Sequence, residues 1–99
     1  MEKIPVIWPE KTIHQLHEIY LYIAEDSILQ ADRIFNKLVE STSLLPEHPH
    51  KYPPDKYKMN NSGNYRAYEL YHYRISYKIT QNAIYIVRIR STYQNPEEY

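Results

Sequence analysis

The clearest hydrophobic pattern lies in the last third of the chain, where apolar and polar side chains alternate with a period of two. In the first run the apolar face consists of Tyr73, Ile75, Tyr77 and Ile79, and the polar face consists of His72, Arg74, Ser76 and Lys78. After a polar break, a second run places Tyr85, Val87 and Ile89 on one face and Ile84, Ile86, Arg88 and Arg90 on the other. Such alternation is typical of strands with one buried face. We therefore predict strands near 65–71, 72–80 and 84–91, with arginines sharing the exposed face.

Two earlier stretches repeat apolar side chains every three or four residues, which predicts amphipathic helices. The first begins at Glu10, after a short edge strand at 3–8 that Pro9 ends. Ser27 is the expected N-cap of the second helix, and Pro46 stops it. Because the two helices are joined by a short turn, we expect an antiparallel hairpin that covers the sheet. The fold class is therefore α+β, with the order β-α-α-β-β-β, a mainly antiparallel sheet and a single domain over residues 1–99.

The segment between the second helix and the next strand, residues 47–64, is predicted to be irregular. It follows Pro46, contains Pro49, Pro53 and Pro54, and holds the only glycine of the chain, Gly63. So long a loop in a small domain often carries function.

Composition changes the picture in one respect, the distribution of charge. The formal net charge is zero, which by itself disfavours a nucleic-acid binder. However, residues 1–50 hold four basic and eight acidic side chains, whereas residues 51–99 hold eight basic and four acidic ones. Such asymmetry can present a positive patch to a polyanion or an acidic protein, although a chance imbalance on a solvated surface is the alternative. The chain has no cysteine, and its first apolar run is too short for a signal peptide or a membrane span, so we expect a cytoplasmic protein.

Few side chains are spaced for catalysis or metal binding. His14 and His17 lie one helical turn apart beside Glu18, but no third ligand is identifiable, so no metal site and no cofactor is expected. A single glycine excludes a phosphate-cradling glycine loop. The remaining candidates are basic: Lys56, Lys58, Arg66, Arg74, Lys78, Arg88 and Arg90, with Tyr93 and Tyr99 in the tail. Arginines can clamp phosphate and tyrosines can stack on bases, but the same residues also serve simply to keep a sheet soluble.

Taken in order, several segments resemble toxins of the RelE/ParE superfamily from bacterial type II toxin–antitoxin systems. The matching segments are 20–27, 31–35, Leu45-Pro46, 65–70, 73–77 and 87–99, which together cover essentially the whole chain. RelE-like members cleave mRNA in the ribosome, whereas ParE-like members poison DNA gyrase, and the helical segments resemble the ParE branch more closely. The resemblance implies a toxin that a cognate antitoxin neutralises, in a toxin–antitoxin hetero-oligomer, with growth inhibition and plasmid stabilisation as its consequences.

The resemblance also implies roles for individual residues. If the chain is RelE-like, Arg74 matches the strand arginine that engages the scissile phosphate, Arg66 falls where those nucleases carry a lysine, and Tyr99 matches a C-terminal tyrosine. Tyr93, Tyr68 and Ser91 replace other groups of the nuclease site, which favours gyrase as the target. We expect Arg88, Arg90, Lys78 and Tyr93 to contact the target. The alternatives are a ribosome-dependent mRNA endonuclease and a non-toxic relative that only binds the antitoxin.

Overall fold

A computed structural model describes residues 3–99, and its elements follow the predicted order. They are β1 (Val6–Ile7), α1 (Glu10–Ala24), α2 (Ile28–Ser43), β2 (Tyr65–Leu70), β3 (Tyr73–Ile79) and β4 (Ile84–Ser91), with a 3₁₀ turn at Leu45–Glu47. The predicted α+β class is confirmed.

Local hydrogen bonds explain where the helices begin and end. The carbonyl of Pro9 accepts hydrogen bonds from the backbone of Thr12 and Ile13 at the start of α1. The Ser27 hydroxyl accepts the backbone N–H of Gln30 at 3.1 Å, which confirms the predicted N-cap. Helix α2 ends at Ser43, and Pro46 lies in the 3₁₀ turn that follows. The helix does not continue through Pro46 because a proline has no backbone N–H to donate to the next helical hydrogen bond.

The sheet has the strand order β1-β4-β3-β2, with β1 parallel to β4 and the other neighbours antiparallel. The prediction of a first strand over 3–8 was too long, since only Val6–Ile7 pairs with β4. Pro5 has no N–H to donate, although its carbonyl accepts the N–H of Ile84 at 2.9 Å. One face of the sheet packs against the helical hairpin, where the core contains Leu16, Leu38, Ile75, Tyr77, Ile84, Ile86 and Ile89.

Strand β4 contains an irregularity that simple alternation did not predict. Ser76 pairs with Arg88, but the next residue, Tyr77, pairs with Ile86, so Val87 is an extra residue in β4. An extra residue of this kind reverses the side-chain phase on either side of it. The prediction that Ile84 and Ile86 share the arginine face was therefore wrong, because both are fully buried against the helices.

The irregular segment packs along the edge of β2. The Tyr52 ring stacks on the Tyr68 ring with centroids 4.3 Å apart, and Pro54 forms an isolated bridge with Arg66. These contacts place Asp55 in the interior, where the residue is 2 % exposed. Across residues 3–99, no helix is long and apolar enough to cross a membrane.

Candidate functional site: an arginine-lined sheet face

Three arginines lie together on the sheet face that points away from the helices, as the alternation predicted. Arg74 is directly opposite Arg90 in the antiparallel pairing of β3 and β4, and Arg88 is opposite Ser76. Like charges that face each other across two strands destabilise a sheet, so this arrangement requires compensation from nearby groups. We refer to Arg74, Arg88 and Arg90 as the arginine face.

The main compensating group is Asp55, whose side chain is fully buried beside Arg74. Its carboxylate accepts hydrogen bonds from Arg74 Nη2 at 3.0 Å and from the backbone N–H of Tyr57 at 3.1 Å. The Tyr99 hydroxyl donates to its other oxygen at 2.5 Å. Burial opposes ionisation of Asp55, but the hydrogen bonds from Tyr99, Arg74 and Tyr57 outweigh it and lower the pKa of the carboxyl group.

The sequence analysis did not single out Asp55. A signal for it exists, because Asp55 is the one acidic residue between Glu47 and Glu69 in a stretch that is otherwise basic, polar or proline-rich. Its role depends on the loop folding back under β3, which local sequence patterns do not report.

Tyr99 is held firmly against the irregular segment. Its backbone N–H donates to the Tyr57 carbonyl at 2.9 Å, and its own carbonyl accepts the N–H of Met59 at 2.7 Å. The guanidinium carbon of Arg88 lies 4.0 Å from the centroid of the Tyr99 ring, a cation–π contact. Burial and the hydrogen bond to Asp55 raise the pKa of the Tyr99 hydroxyl, so this group stays protonated as a donor to Asp55.

Arg66 is not brought together with Arg74. It pairs with Tyr77, so it belongs to the opposite sheet face. Its guanidinium donates to the backbone carbonyls of Tyr52 at 2.8 Å and Gly63 at 3.0 Å, which fastens the irregular segment to β2. Gly63 has a φ of 106°, a conformation that favours glycine.

The other predicted contact residues lie at the margins of the arginine face. Lys78 is on the same sheet face, with its ammonium group 5.5 Å from the centroid of the Tyr65 ring. Tyr93 is 80 % exposed in the tail, and the centroid of its ring lies 5.1 Å from the centroid of the His72 ring. His14 of α1 contacts Glu18 at 3.5 Å, and no three His, Cys, Asp or Glu side chains cluster within residues 3–99.

The three arginines line a small pocket at the end of the sheet. It has a volume of about 80 Å³, and its walls also include Tyr57, Glu69 and Pro96. Glu69 accepts a hydrogen bond from Arg74 Nη1 at 3.3 Å, and Glu97 of the tail lies 3.8 Å from Arg90 Nη1. Burial lowers the pKa of Arg88, and the neighbouring charges of Arg90 and Arg74 act in the same direction. The pocket therefore combines concentrated positive charge with one exposed carboxylate in its wall, Glu69, and a second exposed carboxylate, Glu97, beside Arg90.

Comparison with known proteins finds a matching family and a solved structure with a similar fold. The family described as "ParE toxin of type II toxin-antitoxin system, parDE" matches residues 6–96. A chain from the solved structure "Chromosomal ParDE TA system from P. aeruginosa" has the same fold, with a TM-score of 0.73 and 18 % sequence identity, over 90 % of this chain and 96 % of that chain. No curated protein sequence matches. Since the family match spans β1 to the tail, the chain belongs to the ParE toxin family of type II toxin–antitoxin systems.

Proposed function

We propose that this chain is the toxin component of a toxin–antitoxin module, that it acts in the cytoplasm by poisoning DNA gyrase, and that a cognate antitoxin neutralises it. Membership of the ParE family supports the toxin role. The observation that favours gyrase over mRNA is the pairing of Arg74 with the buried carboxylate of Asp55. An arginine committed to an internal ion pair suits a protein that acts by binding.

The surroundings of Arg74 argue against the nuclease alternative. Tyr99, the other residue that a RelE-like site would use, directs its hydroxyl to Asp55, and its raised pKa disfavours proton abstraction. Arg66 lies on the other face of the sheet and binds backbone carbonyls. A nuclease needs donors preorganised around one phosphate, and these three groups do not converge on one.

The helical hairpin supports the proposal of an antitoxin partner. Around its turn, four large apolar side chains are exposed: Leu21, Tyr22, Ile28 and Leu29. A cluster of exposed apolar side chains commonly marks a protein interaction site. In the proposed module, a segment of the antitoxin that folds on binding covers this surface and forms the hetero-oligomer.

Induced expression in bacteria, followed by assays with purified components, tests the proposal. Expression should arrest growth, and co-expression of the small gene next to the toxin gene should relieve the arrest. With purified gyrase and plasmid DNA, the toxin should increase the amount of linear DNA recovered after detergent and protease treatment. Binding of the antitoxin without growth arrest would contradict the toxin role.

A conservative substitution separates the two targets. Tyr99→Phe removes one hydroxyl and keeps the ring beneath Arg88, so a gyrase poison should retain its cleavage-complex activity. The matched control is Tyr71→Phe, since Tyr71 is exposed in the turn between β2 and β3 and its hydroxyl makes no hydrogen bond within residues 3–99. Ribosome-dependent mRNA cleavage that Tyr99→Phe abolishes would establish the nuclease alternative instead.

A further inference from the structure

The free charge of the arginine face belongs to Arg88 and Arg90. Arg74 is matched by Asp55, whose side chain is fully buried and cannot leave without unfolding the loop. Arg90 has only Glu97, which is 3.8 Å away and 72 % exposed. Arg88 forms no ion pair in the part of the chain that the structure describes, and it packs on the ring of Tyr99. Exposed carboxylates such as Glu97 are weakly held, because water and salt screen their attraction.

Three buried polar groups on this face also lack a hydrogen-bond partner within residues 3–99, and one of them is the Ser76 hydroxyl, opposite Arg88. The Nε–H groups of Arg74 and Arg90 are buried and make no hydrogen bond within residues 3–99. Buried donors are nearly always satisfied in folded proteins, so two orphans on residues that face each other across adjacent strands require an explanation. Because no acceptor offsets these donors, they add to the positive potential of the face, which favours an anion beside the accessible guanidinium nitrogens.

We propose that the pocket of the arginine face binds one phosphate group, and that Glu97 of the tail occupies its rim until the phosphate displaces it. The pocket volume of about 80 Å³ admits a small oxyanion and excludes a nucleobase with its sugar. Phosphate suits the site better than a carboxylate does, because it presents more acceptor oxygens and a higher charge to several guanidinium groups.

The biological source of this phosphate rests on the proposed function, in which the toxin meets DNA held by gyrase and the pocket receives a backbone phosphate. Binding of inorganic phosphate does not depend on gyrase. A negative result in the phosphate titration would therefore not contradict gyrase poisoning. A negative result in the gyrase assay would likewise not contradict phosphate binding at the pocket.

The test is a titration of the ¹⁵N-labelled protein with inorganic phosphate at constant ionic strength, observed at the arginine Nε–H resonances. The signals of Arg88 and Arg90 should shift saturably, whereas that of Arg33, an exposed arginine of α2, should not. Acetate at the same concentration should bind at least tenfold more weakly. Equal, non-saturating shifts at all arginines, or equal affinities for acetate and phosphate, would overturn the proposal.

Two matched substitutions examine the displaceable carboxylate. Glu97→Gln removes the competitor and should increase phosphate affinity about threefold, whereas Glu98→Gln, its exposed neighbour without an ion pair in residues 3–99, should leave the affinity unchanged. Arg90→Gln should lower the affinity about tenfold, the effect of one charge-assisted hydrogen bond. If Glu97→Gln and Glu98→Gln behaved alike, Glu97 would have no role at the pocket.

A competition experiment identifies the biological source of the phosphate. A double-stranded oligonucleotide should displace inorganic phosphate from the pocket, and an acidic peptide is tested in parallel. Displacement by the peptide alone would overturn the assignment to DNA.

Discussion

Asp55 is the buried partner of Arg74 in the arginine face, and Asp55→Asn measures its contribution to stability with the least change in shape. The substitution leaves Arg74 with only Glu69, an acceptor that is 56 % exposed, and weakens the hydrogen bonds from Tyr99 and Tyr57. Removing one partner of a buried ion pair costs about 3–5 kcal/mol. Since Arg74 is 16 % exposed and retains Glu69, the lower end applies, and we expect Asp55→Asn to reduce the free energy of unfolding by about 3 kcal/mol.

Urea denaturation at pH 7, followed by circular dichroism, measures this loss. Asp26→Asn is the matched control, because Asp26 is exposed in the turn between α1 and α2 and should change the free energy of unfolding by less than about 0.5 kcal/mol. Thermal unfolding should show a midpoint roughly 15 °C lower for Asp55→Asn, given about 4–8 °C per kcal/mol in a domain of this size. A variant within 0.5 kcal/mol of the native protein would refute the idea that the Asp55 network stabilises the fold.

The pH dependence gives an independent check on the same reasoning. The pKa of Asp55 is lowered in the folded state, so on acidification the unfolded chain takes up this proton first. The stabilisation by Asp55 is therefore complete above the unfolded pKa of about 3.9 and disappears as the pH falls through the lower folded pKa. The difference between native protein and Asp55→Asn should stay constant near neutral pH and narrow below about pH 4. A difference that widens on acidification would contradict the lowered pKa.

Three further substitutions test other elements of the fold. Ser27→Ala removes the cap of α2 and should cost about 1 kcal/mol in urea unfolding, while Ser62→Ala in the exposed loop should cost almost nothing. Tyr71 and His72 connect β2 to β3 with φ values of 52° and 67°, which asparagine and glycine adopt more easily. Replacing the pair by Asn-Gly should therefore increase the free energy of unfolding by about 1 kcal/mol in the same urea assay, and no gain would show that the turn is unstrained. Burial raises the pKa of Tyr77 to about 12, so the unfolded chain loses its proton first and stability should fall as the pH rises above about 10; Tyr77→Phe should flatten that fall in an alkaline denaturation series.

Local patterns predicted the elements well because each depends on neighbours in sequence. The apolar stripes of α1 and α2, the Ser27 cap and the alternation in β3 all act over a few residues, and the structure confirms them. The prediction for β4 was wrong in its first half because a single extra residue, Val87, reverses the faces. Whether a strand contains such an insertion depends on its pairing partner, which a period-two pattern does not report.

The candidate site was predictable only in part for the same reason. The grouping of Arg74, Arg88 and Arg90 followed from the alternation, but Arg66 reached the opposite face by its register with Tyr77. The pairing of Asp55 with Arg74 joins residues 19 apart through an irregular loop. No propensity or periodicity encodes such a contact, because it depends on how the loop packs along the edge of β2.

By itself the sequence determined the order of the elements, the helical hairpin, a basic strand face and a resemblance to a toxin superfamily. These features depend on short-range periodicity, on proline and capping chemistry, and on the linear order of segments. The tertiary structure alone decided that a buried carboxylate neutralises Arg74 and that Tyr99 donates a hydrogen bond to that carboxylate. It also decided that Arg88 forms no ion pair within residues 3–99, whereas Arg90 pairs with the exposed Glu97. The physical reason is that the state of a charge depends on burial and on partners distant in sequence, and folding sets both.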